Sequence, residues 1–566
     1  MTIAITRRLV PAHVAALVAS GVDPVLARLL AARGIATPAE IDDTLARLPS
    51  FASLRGIDEA AERLVRAIER HERILVVADY DADGATACAV ALRALRAMGA
   101  IVDFLVPNRF NDGYGLTPGI VEQARAMTPD LLVTVDNGIT SVEGVAAAAA
   151  AGIDVLVTDH HLPGERLPEP AIIVNPNQPG CAFPSKHLAG VGVIFYVLAA
   201  TRARLRERSD SEPANLAGLL DLVALGTVAD VVRLDHANRV LVAQGLKRIR
   251  AGRAQPGVEA LFRVAGRDPR TAIATDLGFV AGPRLNAAGR LADMTVGIRC
   301  LVTDDAGEAL ALAGELEALN RQRRKLEAGI VDEAHADLDE AAAMMRADTF
   351  TLCLYRANWH QGVVGIVASR IKDREHRPAI VFAPGDKGML RGSGRSIAGF
   401  HLRDALALVD AREPGLLGPF GGHAVAAGLT IREGDFERFA EAFERVGREQ
   451  LRPADLARII ETDGVLGPGE LDVALAERLR EPVWGQGFPP PAFDDEFGVA
   501  ASRIVGGAHT KLVLERGGER FDAILFRSTR PLPERIRAVY RPEVDAFRGH
   551  PALQLVLVHW EPAAAA

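Results

Sequence analysis

Three aspartates at alternate positions, Asp79, Asp81 and Asp83, stand directly behind an apolar run at residues 74–78. Gly84 and a helical pattern over residues 85–98 follow. The apolar run reads as a buried strand. Successive strand side chains point to opposite faces, and a turn at Gly84 then lets two or three of the carboxylates converge. Crowded carboxylates repel, and a divalent cation offsets that repulsion. A solvated Asp-Gly turn is the alternative for this stretch taken alone.

The elements that must position this cluster follow in order. Residues 71 to about 232 alternate strand and helix, with strand-like runs at 74–78, 102–106, 131–135, 155–158 and 172–174. A helical pattern over 141–151 is typical of the intervals. Such alternation predicts βαβ units and a parallel sheet, whose ligands bind beyond the carboxyl ends of the strands. Those ends carry Asn108 and Arg109, then Asp136 and Asn137, then Asp159, His160 and His161. A helical stretch at 216–225 leads into Gly226 to Asp230. Singly, each has a plain structural reading: a turn at Asp136, an N-cap with surface histidines at Asp159, a terminal salt bridge at Asp230. Collected on one sheet edge, they form a candidate site.

A chain of 566 residues exceeds one core and predicts three or four domains. No run approaches a membrane span, and residues 1–10 have no signal-peptide core, so the expected compartment is the cytoplasm. Cys88, Cys181, Cys300 and Cys353 are far apart and read as reduced thiols. The net charge of −8 does not advertise a nucleic-acid binder, although net charge is only an average.

Outside the sheet, residues 1–70 read as a helical lead-in packed on the next domain, with Asp23-Pro24 as a helix start and Thr37 to Glu40 as a capping box. Residues 233–345 read as a connector. It holds a Gly-rich basic loop at 282–290, where Arg284 and Arg290 either fork phosphates or lie solvated, and then a long helix. The helix carries Leu310, Leu312, Leu316 and Leu319 near one face and a basic cluster at 321–325. Residues 346–450 mix strand and helix around three glycine-rich stretches, 359–365, 391–396 and 421–428. Glycine admits anions close to backbone N–H groups, and Ser393, Arg395 and His423 add donors. No Walker motif is present. Residues 455–566 read as short strands of a small barrel, with Tyr540, Phe547 and nearby arginines as residue types that stack bases.

The run Asp79-Tyr80-Asp81-Ala82-Asp83-Gly84, with residues 133–138, Thr158 to His161 and Gly226 to Asp230, resembles the four motifs of the DHH phosphoesterase superfamily. Within it the chain is similar to the RecJ family of single-strand-specific exonucleases. Residues 107–109, 112–116 and 188–192 resemble RecJ-type signatures. The glycine-rich stretches resemble a DHHA1 domain, and the barrel, with residues 509–512 and 547–549, resembles a RecJ OB domain. Phe488 departs from the family pattern, which has Asn there.

The resemblance implies an α/β multidomain fold: a DHH domain at 71–232, a connector at 233–345, a DHHA1 domain at 346–450 that closes over the metal site, and an OB-type domain at 455–566. It implies two divalent ions, bridged by Asp136, with Asp81 on one and Asp83, His160 and Asp230 on the other; Asp79 and His161 either support the ligands from behind or face the substrate. Carboxylates and imidazole without thiolate suit Mn²⁺ or Mg²⁺. The implied substrate contacts are Asn108, Arg109, Tyr114, Arg284, Asn286, Arg290, His360, Ser393, Arg395, Gly421, Gly422 and His423. The implied activity is 5′→3′ release of mononucleotides from single-stranded DNA in recombination and repair, by a monomer working beside single-strand-binding protein and a RecQ-type helicase. Two readings compete: a DHH phosphodiesterase for short oligonucleotides or cyclic dinucleotides, and an inactive DNA-binding scaffold.

Overall fold

The computed structural model describes residues 3–108, 112–208, 215–342, 349–545 and 551–563. Arg109, Phe547, Arg548 and Gly549, all singled out in the sequence, lie outside the described residues. The chain divides into two compact units, one of Arg7–Glu317 with Glu461–Ala566, the other of Met1–Thr6 with Ala318–Ile460.

The first unit contains a five-stranded sheet in the order Ile101–Leu105, Arg73–Ala78, Leu131–Val135, Asp154–Thr158, Ile172–Val174. Every pairing in it is parallel. The strand Leu131–Val135 is buried at all five positions, as a parallel sheet covered on both faces requires. The five strand-like runs of the sequence are therefore the sheet, shifted by at most one residue at an end. One covering helix, Ala82–Ala97, is rich in Ala and buried almost throughout. It starts where the Asp81 carboxylate accepts the N–H groups of Asp83 and Gly84, at 2.9 and 3.1 Å.

Residues 493–562 form a closed barrel in the order Phe493–Val505, His509–Arg516, Glu519–Leu525, Ala552–Pro562, Arg535–Asp545. Its core holds Phe493, Phe497, Phe521 and Tyr540. Tyr540 is fully buried, its ring centroid 5.4 Å from that of Phe497. The expectation that Tyr540 stacks bases is therefore corrected: the β period turns position 540 into the barrel. Val25 and Leu29 join the same apolar cluster, so the helix Pro24–Ala31 shares a core with the barrel. The lead-in also opens with a strand, Ile3–Arg7, and its Pro38–Glu40 segment is a single 3₁₀ turn.

The stretch at 282–290 is not a loop. It is the helix Gly282–Leu291, with Pro283 in its first turn, where a missing N–H is harmless. Phe488 is buried and stacks on Trp484 at 5.2 Å, and the Arg239 guanidinium lies 4.4 Å over its other side. The turn itself is kept, Gly485 and Phe488 exchanging backbone hydrogen bonds at 2.8 and 3.1 Å, and the aromatic ring adds stacking to it.

The second unit holds a sheet in the order Leu417–Gly422, Ala426–Arg432, Met389–Arg395, Ala379–Pro384, Leu352–Tyr355, antiparallel except for its last pair. In register, Gly421 pairs with Gly428 and Gly428 with Ser393. Among the described residues no helix is long and apolar enough to cross a membrane.

Candidate metal centre

The strand Arg73–Ala78 pairs with Ile101–Leu105 on one side and Leu131–Val135 on the other. The winding therefore reverses at this strand, and a crevice opens beyond the strand ends. Asp79 N–H donates to Val135 O at 3.2 Å, and Asp136 N–H to Thr158 O at 3.0 Å. The ladder thus continues one residue past each strand and fixes both acids at the crevice. Asn137 binds across it, donating to Val77 O and Val135 O at 3.1 and 2.9 Å.

Three ligand groups converge there, each with donor atoms within 4.8 Å of one another: Asp79, Asp81 and Asp136; Asp83, His160 and Asp230; Asp136, His160 and His161. Asp136 and His160 each belong to two. His160 Nε2 lies 3.1 Å from Asp136 Oδ1 and 3.5 Å from Asp230 Oδ2. Asp136 adopts φ +63°, a left-handed backbone that a non-glycine residue rarely takes.

Two helices close the centre. Asp83 Oδ2 and Oδ1 accept the N–H groups of Gly190 and Val191 at 2.6 and 2.9 Å, which seats the carboxylate on the N-terminus of the helix Gly190–Arg208. Asp230 caps the helix Leu220–Ala229. Gly226 within that helix has no room for a side chain, since a Cβ would lie 2.1 Å from Thr86 Oγ1.

Burial and mutual repulsion set the protonation. Burial, with Asp230 nearby, pushes the Asp83 carboxyl up to about 7. Burial, with Asp81 nearby, does the same to Asp230. Burial and its carboxylate neighbours push Asp136 far above the usual range. Burial holds His160 below the ordinary imidazole value, and His161 adds to the effect. Asp136 Oδ1 and His160 Nε2 are buried without a hydrogen bond, a costly state for polar atoms. A cation on these oxygens and this nitrogen removes both costs, so the residues fit a hard divalent ion.

The sequence offers Asp159 as a ligand type at the sheet edge or as an N-cap; the structure gives it a different part. Its buried carboxylate accepts the N–H groups of Ile139, His160 and His161 and lies 2.8 Å from His161 Nδ1. Burial opposes the charged imidazole of His161, but the Asp159 bond prevails and raises it to about 9. Asn177 and Asn175 donate to His160 O and His161 O at 2.6 and 2.9 Å. The sequence signal for these helpers is only that Asp and Asn types stand beside the histidines.

The remaining expected contacts divide. Tyr114 joins the centre, its hydroxyl 3.3 Å from His161 Nδ1 and 3.4 Å from Asp136 O. Asn286 accepts the Ala82 N–H at 2.9 Å and so braces the aspartate turn. Arg284 turns inward and pairs with Glu317 at 2.7 Å, both nearly buried, a pair that a bound phosphate would have to break. Arg290 lies in the last turn of the same helix. The Asn108 N–H is held by Asp112 at 2.7 Å. In the second unit, Arg395 Nη1 donates to Ser393 Oγ at 3.2 Å, and His360 Nδ1 accepts the Gly362 N–H at 3.0 Å. Gly421, Gly422 and His423 lie exposed at a strand end.

Residues 73–227 match the family model described as the DHH family, N-terminal domain, residues 348–449 the DHHA1 domain, and residues 462–559 the RecJ OB domain. A single-stranded-DNA-specific exonuclease RecJ of Dickeya dadantii is 50% identical over 95% of this chain and 96% of its own length. The chain belongs to the RecJ family. The RecJ of Escherichia coli is 48% identical over 94% of this chain and 95% of its own. The crystal structure of Thermus thermophilus RecJ in complex with Mn²⁺ superposes with a TM-score of 0.83 at 30% identity, covering 100% of this chain and 80% of that one. Its Mg²⁺ complex gives 0.78, at 30% identity, with coverage of 100% and 79%.

Proposed function

We propose that this chain is a divalent-metal-dependent exonuclease that shortens single-stranded DNA from its 5′ end and releases 5′-mononucleotides. The observation that carries this is the convergence of three ligand groups sharing Asp136 and His160, in a chain of the RecJ family. Asp136 would be shared by two sites, one held with Asp81 and with Asp79, which the cluster places among the ligands and not behind them, the other held by Asp83, His160 and Asp230. Two Mn²⁺ or Mg²⁺ ions, when bound, supply an activated water, orientation of the phosphodiester and charge stabilisation of the leaving oxygen.

The chain's own residues supply the rest. Asp159 keeps His161 protonated at neutral pH, so His161 presents a positive charge and a proton to the phosphodiester. Tyr114 fixes the His161 ring. Ser393, Arg395, His360, His423 and the Gly421–Gly422 backbone are the anion-binding donors of the second unit, and Arg109 and Arg290 add charge that attracts a polyanion. On the barrel, Phe526 is exposed beside His509, the two rings 5.3 Å apart. With Arg503, Lys511 and Arg527 they form the base-stacking, backbone-tracking surface that the sequence placed at Tyr540. The setting is the cytoplasm, in recombination and repair, with single-strand-binding protein and a RecQ-type helicase as partners and the monomer as the working form.

The test uses purified protein with Mn²⁺ and a long single strand labelled at either end, beside a duplex and a dinucleotide. The expected result is early release of only the 5′ label from the single strand, with the duplex intact and Asp81→Ala inactive. Cleavage of the dinucleotide alone would overturn the assignment in favour of a small-substrate phosphodiesterase. DNA binding without cleavage would overturn it in favour of a scaffold.

A further inference from the structure

Two exposed apolar side chains directly follow residues of the carboxylate cluster, and a third stands on a turn packed against the helix that delivers Asp230. Leu162 follows His161 directly and is 59% exposed; Val231 follows Asp230 directly and is 62% exposed. His160 and Asp230 approach to 3.5 Å, which brings their two loops together. Phe279 is 75% exposed. It sits on the π-helical turn Leu277–Ala281, between the buried Leu277 and Ala281. The neighbouring Gly278 packs on Val228, with a Cβ position 3.3 Å from Val228 Cγ1. The turn therefore lies against the end of the helix that delivers Asp230.

Single exposed apolar residues need no explanation. Grouping around one polar cluster does. Val231 moreover holds φ +63°, an outlier for a β-branched residue, and π turns concentrate at functional sites. The fold accepts an unfavourable backbone and an exposed ring in order to keep apolar surface beside the metal ligands.

We infer that Phe279, Val231 and Leu162 form an apolar rim on which the unstacked bases of the incoming strand rest, positioning the scissile phosphodiester over the metal centre. This deepens the proposed function and rests on it. The occupant is a nucleobase because Leu162 and Val231 directly follow His161 and Asp230 of the cluster proposed to take the phosphodiester, and the Phe279 turn packs on the Asp230 helix. A π-face of any base fits such a surface, whereas in a duplex those faces are stacked and hidden. The rim is thus the part of the site that distinguishes single strands from duplexes.

The experiment pairs a protein change with a substrate change. Phe279→Ser and wild type are compared, in Mn²⁺, on a single strand with normal bases and on one whose terminal nucleotides are abasic. Wild type is expected to lose about 5- to 100-fold in kcat/KM on the abasic strand, the worth of stacking a base. Phe279→Ser is expected to lose a similar factor on the normal strand and little more on the abasic one. Phe279→Trp should restore activity, and Val231→Ser should repeat the pattern if the first variant folds poorly. Equal kcat/KM of Phe279→Ser and wild type on the normal strand would overturn the rim, as would independent, multiplying losses. Failure of wild type to cut any single strand would instead overturn the exonuclease assignment.

Discussion

Gly190 presses directly on Asp136. A Cβ at Gly190 would lie 2.5 Å from Asp136 Cβ and 2.6 Å from its Oδ1, while the Gly190 N–H holds Asp83 at 2.6 Å. One backbone position therefore sets two ligands at once. Gly190→Ala must displace one of them. Overpacking of this kind costs about 1–3 kcal/mol, and the expected outcome is a lowered thermal midpoint together with at least ~10-fold weaker Mn²⁺ binding, read by titration.

Asp136→Asn tests the shared ligand with the least disturbance. Asn tolerates the left-handed φ of +63°, so the fold should persist. Hydrolysis should fall beyond the ~10–100-fold that loss of a supporting residue costs. The metal-free protein should melt higher near neutral pH, because one buried member of a repelling cluster is gone. A single-turnover assay and a melting curve check both.

Metal removal and pH are linked. Asp83 and Asp230 titrate near 7 in the fold, against 3.8 ordinarily. A carboxyl raised in the folded state binds its proton better there than in the unfolded chain. Its contribution is complete below about pH 4 and is lost as pH rises through about 7. The metal-free protein should therefore lose stability from about pH 4 to about pH 7. Mn²⁺ needs the deprotonated ligands, so the melting shift it produces should grow over the same range. Melting curves at four or five pH values, with chelator and with Mn²⁺, check this.

Asp159→Asn removes the charge that sustains His161. The His161 pKa should fall from about 9 toward its ordinary value, and activity should drop ~10–100-fold, as for other residues that orient a ligand. The fall should be larger at pH 8 than at pH 6, because only the variant then has a neutral His161. Histidine NMR titration and a pH–rate profile check the two parts.

Phe488→Ala tests a stack outside the metal ligands. The ring is 3% exposed, between Trp484 and Arg239, and large-to-small changes at such sites cost about 3–5 kcal/mol. A thermal midpoint several degrees lower, with the Mn²⁺-induced shift preserved, is the expected result.

The sheet and the ligand types are legible in the amino-acid sequence. Apolar runs of strand length, each ended by Asp, Asn or His, mark buried parallel strands and their carboxyl ends, because both signals are local: burial reads from hydrophobicity, and the turn follows at once. The barrel is legible in it too, through alternation and turn residues. Where each side chain goes once the elements pack is not legible there. Arg284 was legible as a phosphate fork or a solvated cation and proved to pair with Glu317, 33 residues away in sequence. Tyr540 was legible as a base-stacking type, but the strand register turned it into the core. The seat of Asp83 on the Gly190 helix and the grip of Asp159 on His161 depend on which backbone N–H groups arrive from elsewhere. Chemistry type is a property of a residue; its protonation, its partners and its access to substrate are properties of the neighbours that folding brings to it.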